Sequence, residues 1–213
     1  MGTDIHLRVQ KRKDSVSPWE FVEDVDKNGE PVEWHTERCY DAFAILADVR
    51  NHWGFNSIAP RRGIPEDIIV SDDLYLGDHS ASWLLLSEIE AFDWFQDVEK
   101  SAELSALQYF RLKIKQLRDI YASPDPWCGG LRPPQSLIDN VEMDAKLNQL
   151  KSDGWQHLEY RIETEIKATT LASWRVYYSE AAGTFYTRLI PRLKRLAKDV
   201  GSDNVRIVFG FDS

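Results

Sequence analysis

Residues with chemical potential collect in four short segments. Asp4 and His6 stand two apart in the opening Met1-Gly2-Thr3-Asp4-Ile5-His6-Leu7. On a strand, that spacing projects a carboxylate and an imidazole from one face, where they could hold a divalent metal or orient a base. If the last strand lies antiparallel beside the first, Asp212 joins them near the same end, and Gly210 leaves space there. Asp4, His6 and Asp212 are therefore the candidate metal ligands, against the plainer alternative of a solvated polar face.

The second segment is Gly77-Asp78-His79-Ser80-Ala81-Ser82, small and polar in front of the apolar run from Trp83 to Leu86. Here Asp78 and His79 could move a proton, and the hydroxyls of Ser80 and Ser82 could hold anionic oxygens. A turn that satisfies its own backbone would use the same residues. The third is Arg61-Arg62 between Pro60 and Pro65, a stiff place to present two guanidinium groups to phosphate or carboxylate, or merely to water. The fourth is Asp41, Asp48 and His52, whose spacing of seven and four gives one stripe of a helix, which is equally an ordinary wet face. The same helix would carry Arg50 on the Phe43 and Leu46 side, where a guanidinium needs a carboxylate or a ligand.

Three functions fit these segments. One is a module that binds a small anionic, nucleotide-like ligand through Arg50, Arg61, Arg62, His79, Ser80 and Ser82, with a tryptophan to stack on a base. Another is a metal-dependent hydrolase of the same ligand class, with Asp4, His6 and Asp212 or Asp78 as ligands and His79 as acid or base. The third is an inhibitor that acts through protein contact, with exposed aromatic anchors. Binding and turnover both stay open here. The sequence has no Walker loop, dinucleotide glycine fingerprint, nucleophile elbow, paired CxxC or HExxH motif.

The elements that must position these residues follow from periodicity. Ile5, Leu7 and Val9 alternate with polar residues as a one-faced strand does. A second extended run from Trp19 turns at Lys27-Asn28-Gly29-Glu30 and returns through Val32 and Trp34. Helical spacing covers 40–53, with Gly54 as its end, and 101–121, with Pro124 beyond it; Ser87 and Glu90 read as a capping box between them. A short helix is expected over 137–150, a strand over 158–167 from the alternation of Leu158, Tyr160, Ile162, Thr164 and Ile166, and a helix over 185–196 that Pro191 kinks or restarts and Gly201 caps. Val205, Ile207, Phe209 and Phe211 form the last strand. The order predicts an α+β fold, a mostly antiparallel sheet including the N- and C-terminal strands, covered by helices.

Composition bounds the rest. With 213 residues, 43% hydrophobic, and eight tryptophans, the chain can bury a sizeable core, and we expect one domain over 1–213 with a Pro/Gly-rich loop at 123–134. The net charge of −9, with basic residues interspersed among acidic ones, disfavours general nucleic-acid binding, which needs a basic face that releases counterions. Two cysteines, Cys39 and Cys128, make no disulfide framework. Neither a secretory apolar stretch nor a run of the ~20 residues that span a bilayer is present, so a cytoplasmic protein without a membrane partner is expected. Its partners would be a small anionic ligand or further copies of itself.

The opening Met1-Gly2-Thr3-Asp4-Ile5-His6-Leu7, together with Tyr40 to Asn51, Arg62-Gly63-Ile64-Pro65, Asp78-His79-Ser80 and Val205 to Asp212, resembles a group of uncharacterised bacteriophage and prophage proteins. Members commonly carry Cys where Thr3 stands. The resemblance implies a phage accessory protein active in the host cytoplasm, a class rich in counter-defence proteins that capture or destroy host nucleotide signals, and it adds a host defence protein to the expected partners. A weaker likeness to the opening motifs of calcineurin-like metallophosphoesterases, in Asp4-Ile5-His6 and Gly77-Asp78, is not continued by a Gly-Asn-His or a late Gly-His-x-His.

Overall fold

The computed structural model describes residues 2–25, 28, 31–35, 37–68, 74–124, 136–150 and 154–212. Its strands are β1 (Ile5–Lys11), β2 (Glu20–Val22), β3 (Asp24–Val25), β4 (Pro31–Val32), β5 (His79–Leu85), β6 (Asp97–Ser105), β7 (Ser136–Leu137), β8 (Ala168–Tyr177) and β9 (Val205–Phe211). Its helices are α1 (Tyr40–Ala47), α2 (Leu86–Ala91), α3 (Ala106–Gln116), α4 (Asn140–Gln149), α5 (Trp155–Glu165), α6 (Tyr178–Ala181) and α7 (Ile190–Leu196). A π-helical turn, Phe185–Leu189, runs into α7, and a 3-10 turn, Ser202–Asn204, into β9. The class is α+β, and the strands nearest the two ends of the chain share one antiparallel sheet. The chain folds as two compact units: Met1–Gln96 with Tyr178–Ser213, and Asp97–Tyr177.

In the first unit, the sheet order is β2-β1-β9-β5, antiparallel throughout. The alternation of β1 sets its register: Ile5, Leu7 and Val9 are buried and pair with Phe211, Phe209 and Ile207, while His6 and Arg8 point to the other face. Every residue of β9 is buried, as a central strand covered on both faces must be. Six of the eight residues of α1 are buried, and the Phe43 ring lies 5.0 Å from that of Phe211, so α1 covers the Phe211 face.

The helix expected over 40–53 stops at Ala47. Asp48 adopts a left-handed conformation with φ 56° and returns its N–H to the Ala44 carbonyl at 2.8 Å. Asn51 then ties the turn, donating to Asp48 Oδ1 at 2.6 Å and to the Phe55 carbonyl at 2.8 Å. Gly54 therefore lies beyond the helix rather than at its end. The start of α2 also differs from expectation: the Glu88 carboxylate, rather than Glu90, accepts the Leu85 N–H at 2.9 Å. Pro191 stands in the first turn of α7, where its missing N–H costs nothing.

In the second unit, β6 and β8 pair antiparallel over nine residues each and β7 adds in parallel. Leu104, Tyr109, Leu112, Met143, Ile162 and Ala172 form its core. Two sequence expectations are corrected here. Residues 101–105 belong to β6, and Ser105 caps α3 by accepting the Gln108 N–H at 3.4 Å. The segment 158–167 is mostly helix α5, because Leu158, Ile162 and Ile166 recur every four residues and Arg161 pairs with Glu165 one turn on, Nε to Oε1 at 2.6 Å. The strand is the following segment, β8. The residues Lys27, Gly29 and Glu30 of the expected hairpin turn, Ser71 to Asp73, and most of the loop at 123–134 with Cys128 lie outside the described residues, although Asp24 and Val32 pair across β3 and β4. Among the described residues, no helix is long and apolar enough to cross a membrane.

Candidate functional site

The antiparallel register brings Asp212 to Asp4 and His6. The Asp4 N–H donates to Asp212 Oδ1 at 2.9 Å, and His6 Nε2 lies 3.0 Å from Asp212 Oδ2. The His6 hydrogen bond, more than any other contact, holds the Asp212 carboxyl below the usual carboxylate range. Tyr75 meets the His6 ring edge-on at 4.6 Å between centroids. Asp4 faces a different partner: Arg38 Nε and Nη2 grip its two oxygens at 2.7 and 2.5 Å and depress its pKa. Asp4, His6 and Asp212 thus form an ion-paired, hydrogen-bonded cluster, and among the described residues no three His, Cys, Asp or Glu side chains are grouped to hold a metal. Nor does Gly210 leave space, since a Cβ there would collide with the Leu76 carbonyl.

The beginning of β5 gathers most of the proposed anion-binding residues. A bulge between His79 and Ser82 interrupts the pairing with β9, and Ser80 takes φ 55°, a left-handed conformation rare for serine. The bulge aims the Ser80 hydroxyl between a guanidinium and an imidazole: Arg61 Nη1 donates to its Oγ at 2.9 Å, and His79 Nδ1 lies 3.0 Å from the same oxygen. The loop that carries Arg61 is fastened to β5 by Gly63 N–H to the Ala81 carbonyl at 3.1 Å and Arg62 N–H to Ser82 Oγ at 3.2 Å. Ser82 is buried and holds the loop instead of facing outward. The Arg62 fork is occupied by Glu88, at 2.8 and 2.5 Å, which lowers the Glu88 pKa.

The remaining candidates sit apart. Arg50 is exposed, not on the apolar side, and its Nε donates to Thr3 Oγ1 at 3.0 Å, because the chain has left the helix before reaching it. Asp41, Asp48 and His52 share no helical stripe for the same reason. Among the described residues, Asp78 is fixed only through its backbone, N–H to the Phe211 carbonyl at 2.8 Å, and its carboxylate has no hydrogen bond with His79. The His79 ring stacks on Phe211 at 6.0 Å, on the face that α1 covers, whereas His6 and Asp212 point from the opposite face. The metal-type cluster and the β5 cluster therefore do not share one cavity.

Sequence reasoning missed a stack of arginines and tryptophans on that opposite face. Arg206, only 4% exposed, lies 4.2 Å from the Trp19 ring centre and 5.7 Å from that of Trp83, and it bonds Gln10 Oε1 at 2.8 Å and Asp67 Oδ2 at 2.6 Å. Arg12 covers Trp19 and Arg62 covers Trp83, at 4.5 and 4.7 Å. The signal was one arginine set among the apolar residues of 205–211. Comparison with protein families, curated proteins and solved structures returns no match.

Proposed function

We propose that the unit formed by Met1–Gln96 and Tyr178–Ser213 binds a small anionic, nucleotide-like ligand at the start of β5, with Arg61, Ser80 and His79 as its contacts. The observation that carries this reading is the Ser80 hydroxyl, held at a left-handed bulge between Arg61 Nη1 and His79 Nδ1. The other N–H groups of Arg61 and the Nε2 of His79 have no protein partner among the described residues. An oxyanion can thus meet a guanidinium, a hydroxyl and an imidazole without breaking the Arg62–Glu88 pair or loosening Ser82. Binding is preferred to metal-dependent turnover because Arg38 occupies Asp4, and because His6 and Asp212 face away from this cluster. Capture of a host nucleotide signal, the role implied by the likeness to phage proteins, asks for a site of this kind.

Titration calorimetry with pyrophosphate, ADP-ribose and cyclic dinucleotides tests the proposal. At least one should bind, and Arg61→Ala should weaken it roughly tenfold, the worth of one charge-assisted hydrogen bond. No heat with any of them, or equal affinity in the variant, counts against the site.

A further inference from the structure

We infer that the first unit has a second binding site, for a small organic cation of the alkylammonium type, in a cavity between α2 and the π-helical turn. The cavity holds about 490 Å³ and is lined by Phe92, Trp94, Phe95 and Tyr186 together with Glu90 and Asp93. Its volume lies within the range of small-molecule sites.

The aromatic wall is rigid. Trp94 is buried and anchored by Nε1–H to the Ile89 carbonyl at 2.8 Å, with Phe92 edge-on at 5.2 Å and Tyr186 at 5.1 Å between ring centres. The π-helical turn explains why Tyr186 is available. It inserts an extra residue ahead of α7, so Phe185 enters the core at 0% exposure while Tyr186, its neighbour, lines the cavity. Phe95 is 72% exposed, on a turn fixed by its N–H to Asp93 Oδ1 at 2.9 Å.

Charge decides the class of ligand. Aromatic faces are electron-rich and attract cations. Glu90 has a loose partner at 3.4 Å in Lys194, which also lines the cavity, while the Asp93 carboxylate accepts only the Phe95 backbone N–H among the described residues, which leaves one negative charge in excess at the lining. An anion would be repelled by that carboxylate and by the ring faces together, and a neutral apolar guest would gain apolar contact but no attraction from charge. A trimethylammonium group gains from both.

The test compares choline with its uncharged isostere, 3,3-dimethylbutan-1-ol, by following the Trp94 indole N–H in the intact protein by NMR, the resonance being assigned through Trp94→Phe. Choline should shift it saturably with a dissociation constant of about 1–10 mM, and the isostere should bind roughly two- to fivefold more weakly, which is what an exposed cation–π contact contributes. Asp93→Asn and Phe95→Ala, both at exposed positions, should each weaken choline while leaving the remaining spectrum in place. Equal binding of choline and the isostere, no shift with choline, or choline affinity unchanged in both variants overturns the inference. Because Arg61 has no part in it, loss of anion binding in Arg61→Ala leaves this result unaffected.

Discussion

His35 shows what one side chain can impose. It is 6% exposed, its Nε2 is buried without a hydrogen-bond partner among the described residues, and it meets Phe185 edge-on at 5.9 Å. Burial, opposed only partly by Glu37, pushes its pKa below the ordinary 6.5. The unfolded chain therefore takes up a proton near pH 6.5 that the folded chain refuses. The stability contribution is fully present above that pH and is lost as the pH falls towards the depressed folded value. His35 should cost up to about 1.4 kcal/mol for each pH unit in that window. Denaturant melts at pH 7 and pH 5 should show a smaller acid loss in His35→Phe than in the parent; equal losses would mean that folded His35 takes up a proton as readily as the unfolded chain does. Nothing in the sequence marked His35, because burial of a lone histidine depends on the neighbours it meets in space. Asp212 was legible, since period-2 patterns at both ends fixed its side of the sheet. Arg50 was not, because its predicted placement depended on a helix that ends three residues earlier.

At the scale of elements, alternation was sound evidence where both faces of the pattern could be checked against a partner strand. For β1 and β9 the apolar positions of one meet those of the other in register. For 158–167 the same alternation was accidental: the buried residues, Ile162 and Ile166, are four apart, and Tyr160 is 65% exposed. The helix expected from residue 101 failed for a related reason, since Leu104 and Leu107 stand three apart as on one helix but lie on either side of the Ser105 cap, in β6 and α3. A sharper element-level dependence lies where residues 76–78 cross the end of β9. Gly210 has no room for a Cβ beneath the Leu76 carbonyl, and Gly77, at φ 78°, abuts the Phe211 backbone. Gly210→Ala should displace that crossing and cost about 2–4 kcal/mol, as overpacking against backbone does. Since His79 follows the crossing directly, the variant should also lose anion binding. A melting temperature within a degree or so of the parent's, for a domain in which 1 kcal/mol shifts it by roughly 2–4 °C, would show that the crossing is slack.

For the whole molecule, the seams between the two units left no mark in composition. The Pro/Gly-rich stretch at 123–134 looks most like a linker, yet the chain passes from one unit to the other at Gln96 and Asp97 and returns at Tyr177 and Tyr178, where neither proline nor glycine occurs. Two adjacent antiparallel passages need no breaker, only a backbone pair. The Tyr178 N–H donates to the Gln96 carbonyl at 3.0 Å, and the Ser179 N–H to the Trp94 carbonyl at 3.0 Å. The first unit thus keeps its complete sheet, its core and both candidate sites within residues 2–96 and 178–212. Joining Gln96 to Tyr178 through two or so glycines replaces an 81-residue excursion, Asp97–Tyr177, by a short loop whose closure costs less entropy. The shortened chain should therefore unfold cooperatively, show the Trp94 indole at the parent's chemical shift, and bind the β5 ligand with the parent's affinity. A molten product, with exposed apolar surface that binds a hydrophobic dye, would show instead that the first unit folds only with Asp97–Tyr177 in place.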